Sequence, residues 1–287
     1  MPQANPQPRL VDAARLASAR ARARLDRAGF LHDEALAELQ ERLIDVNRRF
    51  TQPALVTPFP EVWAGLMPDA HIVAPDETLA LTPGAHDLVV HAMGLHWADD
   101  PVGQIVQCRR ALQPDGLFLS VAFGGETLTE LRQSLAAAET EILGGLSPRV
   151  APMAEIRDMG ALLQRAGLAL PVADRLPKTV SYANAFALMA DLRAMGETNA
   201  LNDRHRAPVP RRLFQRMAEI YAARFPAVED PSRIRATFEL IFLSGWAPHE
   251  SQQKPLRPGA AKARLADALG TQEFDETALP VLHPFDD

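Results

Sequence analysis

Apolar residues in this chain fall into two patterns, short continuous runs and longer segments in which they recur every three or four positions. The short runs are too brief and too rich in β-branched residues for helices, and they predict strands at residues 53–57, 71–74, 87–90 and 117–123. Between the last two strands, residues 104–112 have helical spacing and residues 113–116 have turn chemistry. A strand, a crossover helix and a second strand predict a parallel sheet buried on both faces.

Helical spacing recurs on both sides of this unit. Two helices are predicted before the first strand, with Gly29 between them, and the second carries an apolar face. The predicted helices span residues 11–28, 32–49, 61–67, 127–143, 154–166, 185–195 and 210–224. Strands alternating with helices at this spacing are typical of an α/β doubly wound sheet.

The apolar pattern in the C-terminal half of the chain predicts the last strands of the sheet and the boundaries of the domains. Late strands at 175–182 and 234–246 fit antiparallel additions at the sheet edge, with a helical insertion between them at about 184–230. We therefore expect a disordered start and N-terminal helices in residues 1–49, the sheet domain in residues 50–250, and a polar, proline-punctuated tail in residues 251–287.

Composition narrows the class of protein. The 287 residues are 47% hydrophobic and 23% charged, as in an ordinary globular protein. The formal net charge of −6 disfavours general nucleic-acid binding. The one cysteine, Cys108, excludes an intrachain disulfide and a multi-cysteine zinc site, and its mid-helix position predicts a small core residue. No apolar run approaches the length of about 18 residues that a transmembrane helix needs.

An arginine- and alanine-rich segment at residues 9–27 bears on localisation. Such a composition is shared by organellar transit peptides and by amphipathic surface helices of arginine-rich bacterial chains. We favour the helix, which makes the protein a cytoplasmic bacterial one. A targeting role of the segment would place it in the mitochondrial matrix instead.

The loops that follow the strands are where chemistry is expected, because open α/β sheets bind ligands beyond the carboxyl ends of their strands. A nucleotide-type cofactor normally needs glycines after the first strand, where the backbone approaches the ligand. Here the loop after Thr57 has prolines at 58 and 60, which cannot donate N–H groups, and it contains no glycine. The usual phosphate or carboxylate cradle is absent.

Other residues after the strands are candidates for binding or catalysis. Asp76, nineteen residues after Thr57, is placed to bind a ribose or to cap a helix. His96 could act as a base and Trp97 could stack on a flat ligand, or the pair could pack and cap the crossover helix.

The second strand of the central unit is followed by Gly124 and Gly125, which permit close backbone approach. Glu126 follows them near a predicted helix start, where it is a catalytic candidate or a simple capping residue. His249 follows the final strand and is a candidate for contact with a substrate or partner. No group of residues has metal-ligand spacing, and neither a Gly-x-Ser-x-Gly elbow nor a P-loop is present.

Long phrases of the sequence resemble a known family. The similar phrases are DLVVHAMGLHWADD, RALQPDG, AFGGETLTELRQSLAAAETE, GGLSPRVAP, DLRAMGETNA and GWAPHESQ. The family is the class I methyltransferase-like family that includes complex I assembly factor 5. The methyltransferase that acts on the malonyl carrier protein in biotin synthesis is a more distant resemblance. The similarity covers about residues 40–255 and is most specific between residues 87 and 199.

This resemblance implies a seven-stranded, mostly parallel sheet that binds S-adenosylmethionine, and an association with the assembly of respiratory NADH dehydrogenase. It implies cofactor contacts at Thr57, Asp76, Met93, Gly94 and His96, and substrate or partner contacts at Trp97, Gly124, Gly125, Glu126 and His249. The mitochondrial member is an arginine hydroxylase rather than a methyltransferase, so the reaction type does not follow from the fold.

The chain departs from the family at one place. Members with an intact site carry Asp-x-Gly-x-Gly after the first strand, where this chain has Val56-Thr57-Pro58-Phe59-Pro60. Loss of several backbone hydrogen bonds at about 1 kcal/mol each weakens cofactor binding, and we expect Phe59 to fill part of the space. Three hypotheses follow: a methyltransferase with a rebuilt loop, a non-catalytic protein that binds a partner such as a NADH dehydrogenase subunit, and a protein-arginine hydroxylase.

Overall fold

A central sheet organises the computed structural model, which describes residues 9–253. Within that range the sheet has six strands in the order β2-β1-β3-β4-β6-β5. The strands are β1 (Pro53–Val56), β2 (His71–Val73), β3 (His86–Ala92), β4 (Leu112–Phe123), β5 (Ala169–Tyr182) and β6 (Ile234–Trp246). The whole sheet belongs to one compact unit, which ends at His249. The predicted disordered start at 1–8 and the tail beyond residue 253 lie outside the described residues.

Strand directions refine the predicted topology. The strands β2, β1, β3 and β4 are parallel, and β6 is antiparallel to both β4 and β5. The expectation of antiparallel additions at the sheet edge is confirmed, because β6 pairs antiparallel with β4 and the edge strand β5 pairs antiparallel with β6. The predicted count of seven strands is too high for the described chain. Residues 74–85, which link β2 to β3, form neither helix nor strand, so no further edge strand lies beyond β2.

Helices cover both faces of the sheet. In chain order they are α1 (Ala13–Arg20), α2 (Leu25–Ala28), α3 (Phe30–Val46), α4 (Pro60–Trp63), α5 (Pro101–Ala111), α6 (Thr129–Leu143), α7 (Ile156–Arg165), α8 (Ala185–Ala194) and α9 (Arg211–Arg224). The predicted helix at 11–28 is broken in two, because the backbone N–H of Arg24 donates to the carbonyl of Ala194 at 2.6 Å. Gly144 and Gly167 end helices with positive φ, as their sequence positions predict.

The predicted turn at residues 113–116 is part of the irregular start of β4. Asp115 has φ of 62°, and its backbone N–H donates to the carbonyl of Ala247. The N–H of Ala247 donates in turn to the carbonyl of Gly116. These bonds to the residue that follows β6 hold the segment in the sheet, so the turn residues mark a distorted strand end.

The core has two layers, one on each side of the sheet. Every residue of β3 is buried, with Leu88 and Val90 packing on one face and Val89 on the other, as the period of two requires. Helices α3, α6, α8 and α9 cover the first face, and α5 and α7 cover the second. Cys108 is fully buried in the second layer, which confirms it as a core residue, and burial raises the pKa of its thiol.

The N-terminal segment is fastened to the chain between α8 and α9. Val11 forms a β-bridge with Leu201, and the N–H of Asp12 donates to the carbonyl of Ala200 at 2.8 Å. Val11, Leu16 and Leu201 share a small apolar cluster with Trp97. The arginine-rich segment therefore forms helices of the fold, as predicted. Within residues 9–253, no helix has the length and apolarity to cross a bilayer.

Candidate functional site

Two cavities lie where β1, β3 and β4 end, at the edge where open α/β sheets bind ligands. The first, which we call the strand-end cavity, measures about 670 Å³ and lies between α1, the loops after β1 and β2, and the start of α5. The second, the apolar chamber, measures about 350 Å³ and is enclosed by the end of β4 with α6, α8 and α9. Trp97 lines both cavities and so forms part of the wall between them.

The loop after β1 turns inward rather than presenting its backbone to a ligand. Thr57 is buried, and its hydroxyl accepts a hydrogen bond from the N–H of Phe59 at 3.2 Å, so it is used within its own loop. The Phe59 ring is 2% exposed and packs edge-on against His32, with 5.1 Å between ring centroids. Phe59 thus occupies space above the first strand, as the sequence predicts.

A buried pair beneath Phe59 completes this packing. The indole N–H of Trp63, a fully buried residue, donates to Nδ1 of His32 at 3.0 Å. Because Nδ1 accepts, the neutral ring carries its proton on Nε2. Burial is the main reason why the pKa of His32 falls to about 4. His32, Phe59 and Trp63 form a neutral plug, a group of three buried side chains beside the loop after β1.

The loop after β2 brings Asp76 to the strand-end cavity, where its side chain is exposed. Gln104 on α5 fixes this loop by donating from Nε2 to the carbonyls of Pro75 (3.3 Å) and Asp76 (3.1 Å). The amide oxygen of Gln104 then accepts from Nε2 of the fully buried His91 at 2.7 Å. Burial lowers the pKa of His91 to about 4, so it is a neutral structural residue.

The turn after β3 is tightly packed. Met93 is buried with φ of 50°, and its N–H donates to the carbonyl of Val121 at 2.9 Å. A Cβ added to Gly94 would lie 3.0 Å from the His91 ring and 3.1 Å from Cβ of Pro75. Gly94 is therefore required by packing against the loop after β2. Neither residue lines the strand-end cavity, although both were predicted to contact a cofactor.

A buried carboxylate that the sequence did not single out stands between the two cavities. Glu197, which follows α8, accepts the indole N–H of Trp97 at 2.6 Å, and both of its oxygens lie 3.4 Å from Nε2 of His96. The side chains of His96 and Glu197 are 1% and 8% exposed. His96 lines neither cavity, so in this conformation it holds Glu197 rather than facing a ligand.

The charge on Glu197 is strongly favoured. Burial raises the pKa of its carboxyl, but His96, the more distant Arg20 and the Trp97 N–H stabilise the anion by more and hold the pKa at about 2. Arg20 lines the strand-end cavity, and its Nε and Nη2 are buried without a hydrogen-bond partner in the described part of the chain. No acid among residues 9–253 forms an ion pair with Arg20.

Gly124, Gly125 and Glu126 follow β4 and are held by β6. A Cβ on Gly124 would lie 2.5 Å from Cδ1 of Ile241 and 2.6 Å from a carboxylate oxygen of Glu239, which explains the glycine by packing. The backbone N–H of Glu126 donates to Glu239 at 3.2 Å, while its side chain is exposed. Helix α6 begins later, with Leu128 before its first residue, so Glu126 is not its cap.

His249 lies away from the cavities. It follows β6, whose last residue, Trp246, pairs with Leu117 in the first half of β4. This is the edge opposite the carboxyl ends of the parallel strands. Of the predicted residues, Asp76 and Trp97 line a cavity, His96 supports the wall between the cavities, and Glu126 and His249 lie apart from this group.

The residues that sequence reasoning missed are Arg20 and Glu197. A signal for Glu197 existed, because it lies in the family-like phrase DLRAMGETNA. Arg20 belongs to a segment interpreted only by its composition. Among residues 9–253, no group of three histidine, cysteine or acidic side chains is arranged to hold a metal ion.

The strand order and the reversed β6 between two strands of the opposite direction define a class I methyltransferase-like sheet. The chain is 43% identical over 188 residues to arginine-hydroxylase NDUFAF5 of Dictyostelium discoideum, which is 66% of this chain and 43% of that protein. It is 38% identical over 201 residues to the Homo sapiens protein of the same name, 70% of this chain and 57% of that one. These relatives confirm the resemblance drawn from the sequence phrases.

The chain is also similar, at lower identity, to a further curated protein and to a solved structure. A malonyl-[acyl-carrier protein] O-methyltransferase of Laribacter hongkongensis is 31% identical over 190 residues, 66% of this chain and 61% of that protein. The chain thus spans less than two thirds of each of these three relatives. The YcgJ protein of Bacillus subtilis aligns in structure with a TM-score of 0.48 at 12% identity, over 76% of this chain and 100% of that one. No protein-family model matches the chain.

Proposed function

We propose that the chain is a methyltransferase-like protein of the complex I assembly-factor type that binds S-adenosylmethionine in the strand-end cavity through a rebuilt site. The observation that carries this proposal is a cavity of about 670 Å³ with Asp76 and Arg20 on its walls. A volume of this size is ordinary for a cofactor site. The cavity also lies at the ends of the strands, where this class of sheet binds ligands.

The residues present fit the chemistry of that cofactor. Asp76 would accept hydrogen bonds from the ribose hydroxyls, and Gln104 holds its loop in place. The unpartnered nitrogen atoms of Arg20 would hold the carboxylate of the methionine part, which the missing glycine turn would otherwise bind. When bound, the cofactor would supply a methyl group on a sulfonium ion.

Residues of the wall would orient a substrate rather than take its proton. Glu197 lines the apolar chamber, but a carboxyl with a pKa of about 2 is a weak base at neutral pH. Its role would be to fix Trp97, which separates the chamber from the strand-end cavity. The apolar chamber is the side from which a substrate would approach.

The cellular role is proposed from the relatives. Because the family-like phrases extend across both cavities, we infer that the chain acts on or binds a protein during assembly of a respiratory NADH dehydrogenase. We place it in the bacterial cytoplasm. The hydroxylation named for the NDUFAF5 relatives stays a property of those proteins.

A paired substitution tests the cofactor site. S-adenosylhomocysteine at about 100 times its Kd should raise the stability of the wild-type chain by about 2.7 kcal/mol, seen as a rise in Tm. Asp76→Ala should remove most of that rise, because the ribose loses its acceptor. Asp69→Ala, an exposed acid before β2, is the matched control and should keep it. Equal rises in both variants would contradict the assignment of Asp76.

A non-catalytic partner-binding protein is the second candidate. The plug of His32, Phe59 and Trp63 favours it, because three buried side chains fill the space that a glycine turn leaves to the cofactor. Under this alternative the strand-end cavity would bind no cofactor, and the same Tm experiment would show no rise in the wild-type chain.

A further inference from the structure

The mouth of the apolar chamber is strongly basic, although the chain carries a net charge of −6. Arg15 and Arg149 line both the chamber and an outer recess of about 400 Å³, and Arg193 lines the chamber. Arg204 and Arg206 line the recess. These five arginines, which we call the basic mouth, come from α1, α8 and two separate loops. Their convergence on one opening concentrates positive charge there.

Three of the five arginines lack an acidic partner among the described residues. Arg149 pairs with the buried Glu139 at 2.7 Å, and Arg204 pairs with Asp12 at 2.8 Å. No acid lies within ion-pair distance of Arg15, Arg193 or Arg206 within residues 9–253. The side chains of these three arginines are exposed, so they can reorient toward a ligand at little cost to the fold.

Behind this mouth the chamber is apolar. Its walls include Phe123, Leu131, Leu135, Met189, Phe214 and Phe238. The one acid on the described walls is Glu197, and its oxygens are already bonded to Trp97 and lie beside His96. The site therefore offers a hydrophobic interior and a positive entrance.

We propose that the chamber binds a small amphipathic acid, an apolar chain with a carboxylate head, with the chain inside and the head at the basic mouth. The enclosed volume of about 350 Å³ suits a small molecule, and the arginines surround one opening rather than following an extended groove. A ligand with a cationic head would have to pass three arginines that form no ion pair among the described residues. The inference does not depend on the proposed cofactor site, because it is argued from the chamber and its arginines alone.

Calorimetric titration with three ligands that share one tail tests this proposal on the full chain. Sodium octanoate should bind at least about tenfold more tightly than 1-octanol, because its carboxylate can accept ionic hydrogen bonds from the arginines. Octylammonium chloride should bind more weakly than octanol. Any of three results would overturn the proposal: equal binding of octanoate and octanol, tighter binding of octylammonium than of octanol, or no octanoate binding at roughly 10 mM.

Substitutions locate the head group. Arg15→Gln and Arg193→Gln should each weaken octanoate binding by about fivefold to tenfold and leave octanol binding unchanged. Arg157→Gln, an exposed arginine on α7, makes the same charge change elsewhere and should have no effect. An equal loss in all three variants would mean a general charge effect and would overturn the assignment of the mouth.

Two variants distinguish a failure of this proposal from a failure of the cofactor proposal. Met189→Trp should fill the chamber and abolish octanoate binding, while Asp76→Ala should leave octanoate binding intact. A chain that binds octanoate but not S-adenosylmethionine would contradict the proposed function alone. A chain with the reverse behaviour would contradict this inference alone.

Discussion

Replacing Glu197 by alanine is expected to lower the free energy of unfolding by about 3–5 kcal/mol, because the change leaves the Trp97 indole N–H unpaired and the buried charge of Arg20 uncompensated. The carboxylate is the acceptor for the Trp97 indole N–H and lies 3.4 Å from His96. It is also the acid whose field reaches Arg20, a side chain with two unpartnered buried nitrogen atoms. Urea denaturation at pH 7 measures the loss.

The control is an acid whose ion pair is exposed. Glu219→Ala on α9 removes a partner of Arg216 at 3.1 Å in a setting open to solvent, and its cost should be far smaller than that of Glu197→Ala. A loss at Glu197 no larger than the loss at Glu219 would contradict the buried cluster as an energetic centre of the fold.

The stability difference between the wild-type chain and a Glu197→Gln variant should change with pH in a defined direction. Because the pKa of Glu197 is lowered from 4.5 to about 2, its ionised form contributes fully to stability above pH 4.5. That contribution is lost as the pH falls from 4.5 toward 2. The stability difference between the wild-type chain and Glu197→Gln should therefore shrink across this interval. A difference that is constant from pH 7 to pH 3 would contradict the low pKa.

Replacing Trp63 by alanine is expected to cost about 3–5 kcal/mol, the range for truncating a large buried aromatic residue. Trp63 is fully buried, and its indole N–H satisfies Nδ1 of the buried His32. The change would leave both a void beneath Phe59 and an unpaired acceptor. Trp63→Phe keeps most of the ring volume and loses only the hydrogen bond, so its cost should be smaller, about 1–3 kcal/mol.

Urea denaturation of both Trp63 variants separates packing from hydrogen bonding. Phe186→Ala, at a residue that is 48% exposed on α8, is the control for losing an aromatic ring and should be nearly neutral. If Trp63→Ala were as mild as Phe186→Ala, the plug would not be a structural substitute for the glycine turn.

The sequence predicts most strands of the sheet, because each strand is a short apolar run that can be recognised without its partners. The strand at 234–246 is present with the predicted bounds, and the alternation in β3 places its side chains on the two faces. Residues 169–174 were not predicted to be part of β5, because they join it through pairing with β6, a strand far away in the chain. Nothing in the local composition of residues 169–182 encodes that partner.

In the candidate site too, residues placed by local sequence could be predicted, and residues placed by contacts between distant segments could not. Asp76 and Trp97 follow predicted strands, so the rule that ligands bind at strand ends finds them. Glu197 meets His96 across 101 residues, and Arg20 reaches the strand-end cavity on a helix that the rule does not consider. Such contacts arise from packing between distant segments, which no spacing of neighbouring residues specifies. The position of Phe59 above the first strand could be predicted because Phe59 follows that strand directly in the sequence.

Calorimetric titration of the full chain with S-adenosylmethionine tests the central claim most directly. We expect saturable one-site binding with a Kd in the micromolar range, on the order of −8 kcal/mol, that Arg20→Gln weakens by about tenfold. The absence of detectable heat at millimolar cofactor would contradict the claim. That result would favour the alternative, a non-catalytic protein that uses the methyltransferase-like fold to bind a partner.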